Sequence, residues 1–137
     1  MLTDEVRQKL VHLAIEKLEL AYAPYSNYPV SAALLTSSGE IYTGVNIENA
    51  AYPVTICAER VAVFKAVSDG KKEFEAIAVV TKNGGTPCGS CRQVLAEFGL
   101  DTLVIIADEN GKVILEKNVA QLLPGAFRPD DLVSGPI

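Results

Sequence analysis

Residues 57–68 read CAERVAVFKAVS and residues 87–91 read PCGSC, and each is followed by an apolar run, AIAVVT at 76–81 and LVIIA at 103–107. The first stretch has the pattern of a helix with Val61, Phe64 and Val67 on its apolar side, stopped at Asp69-Gly70. The second opens another amphipathic helix over residues 90–98, closed by Gly99. The run at 103–107 lacks alternation, as a strand buried on both faces does. Upstream, residues 30–36 and 41–46 are short apolar or β-branched runs joined by Ser37-Ser38-Gly39-Glu40, which predicts an antiparallel hairpin. Strand, helix, strand, helix, strand in this order predicts an α/β fold with a mixed sheet and helices packed across it, because parallel neighbours need a crossover connection.

Outward from that unit, residues 3–21 place Val6, Leu10, Leu13, Ala14, Leu18 and Ala21 at helical spacing, with Asp4 and Glu5 in the first turn and Pro24 beyond the end. Residues 49–55 and 82–87 are loops. A turn at Glu109-Asn110-Gly111 leads to a short strand at 113–115, and residues 119–123 form a last helical turn before Pro124. No linker, repeat or low-complexity segment interrupts the chain, so a single domain over residues 1–137 is expected.

The 137 residues are 49% hydrophobic and carry a formal charge of −5. That charge offers no field for a phosphate backbone, which argues against nucleic acid as a partner. The N-terminus is charged where a secretory leader needs an apolar stretch, and no run approaches the roughly 18 apolar residues of a membrane span. A cytoplasmic protein without a membrane partner is expected.

Three cysteines cannot all pair within one chain, and two of them form a C-x-x-C, which in a reducing compartment points to metal or redox chemistry. Cys57 opens one crossover helix, Cys88 and Cys91 the other, so both helix starts can face one point. The partial positive charge there lowers a thiol pKa, and only the thiolate ligates a metal. Soft sulfur suits zinc or an iron–sulfur cluster. Three ligands favour catalytic zinc, one ion per chain, because a tetrahedral site then keeps one position open to water.

Glu59, two residues after Cys57, is placed to reach over that open side without binding the metal. A glutamate in a first helical turn is ordinarily a dipole partner. Here its spacing to the cysteines, Cys57-Ala58-Glu59 followed by Pro87-Cys88-Gly89-Ser90-Cys91, matches the pattern of zinc deaminases in which the glutamate is general acid and base. His12, the one histidine, is the candidate for closing a structural Cys₃His site instead; it lies mid-helix among charged neighbours, where a solvated or packed histidine is the ordinary reading.

The chain resembles the small three-cysteine form of cytidine deaminase over nearly its whole length. Tyr22-Ala23-Pro24-Tyr25-Ser26, Gly44-Val45-Asn46-Ile47-Glu48-Asn49-Ala50, Cys57-Ala58-Glu59-Arg60 and Leu122-Leu123-Pro124-Gly125-Ala126-Phe127 follow the family's motifs in the family's order. The resemblance implies a three-layer α-β-α sandwich around a five-stranded mixed sheet. It also implies hydrolytic deamination of cytidine and deoxycytidine in pyrimidine salvage, and a homotetramer with shared active sites. By the same resemblance Asn46 and Glu48 hold the ribose 3′-hydroxyl, Tyr28 stands where the family commonly has a Phe against the pyrimidine, and Phe127 reaches a neighbouring subunit's site. The N–H of Ala58 and the carbonyl of Thr55 orient water and the amino group. Arg60 donates to the sulfurs, which offsets the net −1 of three thiolates on Zn²⁺. Arg92 is a second candidate for that task, with a surface arginine as the alternative, and Gln93 is a polar neighbour of the centre.

Ser31 departs from the family's usual Gly, and Pro53-Val54 fall in a variable loop before Cys57. The rival readings are a blasticidin S deaminase of the same fold, a non-catalytic zinc module closed by His12, and a thiol-redox protein built on Cys88 and Cys91. The run Asn46-Ile47-Glu48-Asn49 favours the plain nucleoside.

Overall fold

Thr3 starts the first helix, α1 (Asp4–Lys17): its hydroxyl accepts the Val6 N–H at 3.2 Å, and Asp4 and Glu5 stand in the first turn. The computed structural model describes residues 2–133. α1 ends before residue 21, passing into a 3₁₀ turn at Leu18–Leu20. The chain is drawn into extended structure there, because the Tyr22 N–H bonds to the Asn46 carbonyl and the Tyr22 carbonyl accepts from Glu48.

The hairpin forms as its sequence predicts, β1 (Val30–Thr36) antiparallel to β2 (Ile41–Val45). β2 stops at Val45, one residue short of the predicted end. Then come α2 (Ala58–Ser68), β3 (Phe74–Thr81), α3 (Gly89–Glu97), β4 (Leu103–Asp108), β5 (Val113–Asn118), α4 (Val119–Leu122) and α5 (Pro129–Val133). The sheet order is β2-β1-β3-β4-β5, with β3 and β4 parallel and the other neighbours antiparallel. This is the expected five-stranded mixed sheet.

Alternate residues of the central strands divide the core between two faces. Ala33, Leu35, Ala76, Ala78, Val80 and Ile105 pack under Leu10, Val11 and Ala14 of α1. Ala32, Leu34, Ile77, Val79, Val104 and Ile106 pack under α2, α3 and α4. Helices on both sides of one sheet make the α-β-α sandwich.

The inward side of α2 differs from the predicted one. Ala58, Ala62, Val63 and Ala66 are buried, whereas Phe64 points outward and is 45% exposed. The cause is Gly44 of β2. A Cβ at that position would run into the Ala58 carbonyl and come within 2.6 Å of the Ala62 nitrogen, so α2 lies too close to the sheet for large side chains. β5 runs three residues past its predicted end to Asn118, whose side chain caps α4 in a reciprocal pair with Gln121. α5 was not foreseen from the sequence.

Candidate active site

At the end of the sheet where β3 leads into the 82–87 loop, a cleft of about 310 Å³ opens. The start of α2 lines it with Cys57, Ala58 and Glu59, together with Tyr28, Val30, Asn46, Glu48, Gly85, Thr86 and Cys88. No lysine or arginine lines it among the described residues.

Cys57 is the N-cap of α2 and Cys88 the N-cap of α3, with Cys91 in the first turn of α3. Their sulfurs lie within 4.8 Å of one another, Cys57 to Cys88 at 4.0 Å and Cys88 to Cys91 at 3.4 Å. Zinc–sulfur bonds near 2.3 Å in a tetrahedron place sulfurs about 3.8 Å apart, so this donor set fits zinc in spacing as well as in softness. The Cys91 thiol donates to Cys57 and, with the Arg60 guanidinium, lowers Cys57 to about 5; the same bond and burial push Cys91 up. The two move apart because they share one proton. Arg60 Nη2 stands 3.3 Å from Cys57 Sγ. His12 is remote from the cluster: its side chain is 73% exposed on α1, 3.6 Å from Glu16, so a Cys₃His site does not form.

Glu59 follows the first thiol into the helix and is 4% exposed. Burial raises its carboxyl to about 7, with the Cys57 charge adding to the effect. It lies on the cleft floor beside Cys57 and Ala58.

Asn46 is 8% exposed and ties the chain together, accepting from the Val30 N–H at 2.9 Å and donating to the Tyr28 carbonyl at 3.0 Å. One N–H and one lone pair of its amide remain for another partner. Glu48 accepts from the N–H groups of Tyr25 and Ser26 at 2.9 and 3.1 Å and from the Ser26 hydroxyl, and these bonds, the hydroxyl first, hold its carboxyl below the usual range. Thr55 lines the same cleft, its hydroxyl accepting the Asn49 N–H at 3.1 Å.

Arg92, Gln93 and Phe127 sit apart from the cleft lining, as do Cys91 and Arg60 behind Cys57. Arg92 turns its donors to oxygens and not to the sulfurs: the Pro87 and Leu122 carbonyls, each at 2.8 Å, and the Thr86 hydroxyl at 3.2 Å. It is a staple between the 82–87 loop and α4, neither a helper of the thiols nor a free surface arginine. Gln93 donates to the Phe127 carbonyl at 2.8 Å, and the Phe127 ring is 55% exposed.

Residues 4–107 match the family described as the cytidine and deoxycytidylate deaminase zinc-binding region. The chain belongs to this family. A cytidine deaminase of Sporosarcina psychrophila is 51% identical over 127 residues, covering 91% of this chain and 93% of that one. The crystal structure of cytidine deaminase from Burkholderia pseudomallei superposes with a TM-score of 0.84 at 42% identity, covering 92% of this chain and all of that one. A blasticidin-S deaminase of Bacillus cereus is 34% identical over 126 residues, 85% of this chain and 88% of its own length.

Residue types alone did not single out Ser26, which clamps Glu48, or Asn83, which bonds the Tyr28 hydroxyl. Ser26 ends a quoted motif and was findable there. Asn83, in a loop, carried no signal.

Proposed function

We propose that this chain hydrolyses the C4 amino group of cytidine and deoxycytidine, giving uridine, deoxyuridine and ammonia, with one zinc ion held by Cys57, Cys88 and Cys91. The observation that carries the reading is a carboxyl group, Glu59, buried on the floor of a cleft directly beside three convergent thiols. At about 310 Å³ the cleft suits a nucleoside.

Zinc, which Cys57, Cys88 and Cys91 would hold, would supply a Lewis acid that activates water for the attack. Glu59 takes a proton from the attacking water and delivers it to ring N3 as the oxygen bonds to C4, then takes the second proton from the new C4 hydroxyl and passes it to the amino nitrogen, which leaves as ammonia as the C4–N bond breaks and the C4 carbonyl forms. The Ala58 N–H, at the positive end of α2, donates to the oxygen arriving at C4. The Thr55 carbonyl accepts from the amino group and so orients it. Asn46 and Glu48 use their remaining hydrogen-bonding capacity on the ribose hydroxyl, and Tyr28 flanks the base. Arg60 spreads the charge of the thiolates. We further infer a homotetramer in which Phe127, exposed in the isolated chain, completes a neighbour's cleft. The protein works in the cytoplasm on this reading, which its cysteine pattern supports, a C-x-x-C with a third cysteine suiting metal binding in a reducing compartment. No helix among the described residues is long and apolar enough to cross a membrane.

The test incubates zinc-loaded protein with cytidine and follows uridine by ultraviolet absorbance, with Glu59→Ala and the substrate blasticidin S alongside. Turnover of cytidine is expected, and Glu59→Ala should lower kcat by about 10²- to 10⁴-fold while keeping its zinc. Preference for blasticidin S, or an active Glu59→Ala, overturns the substrate or the mechanism respectively.

A further inference from the structure

The 82–87 loop forms one wall of the cleft through Gly85 and Thr86 and runs directly into Cys88. What holds it is unusual for an exposed loop. The Tyr28 hydroxyl, just ahead of β1 where Val30 pairs with Thr81, donates to Asn83 Oδ1 at 2.6 Å. Beneath that bond, the Gly85 N–H donates to the Thr81 hydroxyl at 2.8 Å. A Cβ at Gly85 would lie 2.5 Å from the Tyr28 hydroxyl and 3.8 Å from Asn83 Oδ1. Gly85 does not have a left-handed backbone, so space and not conformation demands glycine there. On the far side, a Cβ at Gly84 would come within 2.5 Å of Ile114 Cγ1, so β5 backs the loop.

We propose that the Tyr28 hydroxyl and Asn83 form a latch that fixes the 82–87 loop as the wall of the cleft, making the pair a positioning device for the pyrimidine end of the substrate. The inference rests on the deaminase reading and adds to it. The chemistry is local: Gly85 and Thr86 run into Cys88 and line the same cleft as Glu59, the end assigned to the base on this reading, whereas Asn46 and Glu48 are assigned to the sugar. A phenylalanine at position 28 would keep the ring but lose the bond to Asn83. Gly85 is the part that gives the latch room, because any side chain there displaces the hydroxyl from Asn83. Residues 28, 83 and 85 therefore act as one unit, and their substitutions should be non-additive.

Steady-state kinetics on cytidine with Tyr28→Phe, Asn83→Ala and the double variant test the latch. Each single change is expected to raise KM about three- to tenfold, the worth of one hydrogen bond, with the loss in KM exceeding that in kcat. The double variant should be no worse than the worse single. Gly85→Ala should raise KM comparably in the native background but less than about twofold in the Tyr28→Phe background, where the colliding hydroxyl is gone. Additive losses, or a Gly85→Ala penalty equal in both backgrounds, overturn the latch. A native protein that does not deaminate cytidine overturns the functional reading instead, and amide hydrogen exchange at Gly85 then decides on the latch. Faster exchange in both single variants with no further gain in the double supports it, and unchanged exchange in Tyr28→Phe refutes it.

Discussion

α2 and α3 each begin at a cysteine, yet different forces hold the two starts. Ala58 and Glu59, the first turn of α2, are 0% and 4% exposed, pressed against β2 where Gly44 removes every side-chain atom. Cys88, Gly89 and Ser90 at the start of α3 are all exposed, and that end is fixed by directional bonds, chiefly those of Arg92 to the Pro87 and Leu122 carbonyls. Close packing cannot yield without disturbing the core, whereas a set of hydrogen bonds can be loosened one at a time. The carboxyl group of the site rides on the rigid half, and two of its three thiols ride on the adjustable half.

The sharpest way to break that contrast is Gly44→Ala. It forces a methyl group into the backbone of α2 and should cost about 3 kcal/mol or more, read as a lower midpoint in urea unfolding, with the zinc site lost together with the fold. Retained stability would show that α2 can slide. Arg92→Ala should act differently, leaving the core folded with a loss of about 1–3 kcal/mol while zinc release to a chelator quickens. Equal effects on α2 and α3 amides in hydrogen exchange would erase the distinction between the halves.

The smallest effect belongs to a control remote from both helix starts, in the β1–β2 turn. Ser38 and Thr36 donate hydroxyl bonds to Glu40, which lowers its carboxyl from an ordinary value near 4.5 to about 2. Because the folded value is the depressed one, the group adds stability that is complete above about pH 4.5 and disappears as pH falls through about 2. In acid titrations the stability gap between the native chain and Glu40→Gln should close over that window, with zinc content alike in the two proteins at neutral pH.

Local signals made much of this legible in advance. The cysteine spacing, the Asp69-Gly70 stop and the apolar run at 103–107 are each written within a few residues, and the structure turns them into the paired helix starts, the end of α2 and β4. Misread features depended on partners distant in sequence. The inward side of α2 follows from Gly44, fourteen or more positions before the alanines it admits. No local cue says that Arg92 will meet the carbonyl of Leu122, and the three extra residues of β5 are polar ones whose extension comes from pairing with β4. The latch at Asn83 was invisible for the same reason.

Phe64, turned outward by the close seating of α2, stands five residues along the same rod from Glu59. The 11-residue helix therefore carries the buried carboxyl of Glu59 near one end and an apolar handle on its outer side. A contact on that handle, a second copy of the chain included, would bear on the helix that carries Glu59 without entering the cleft.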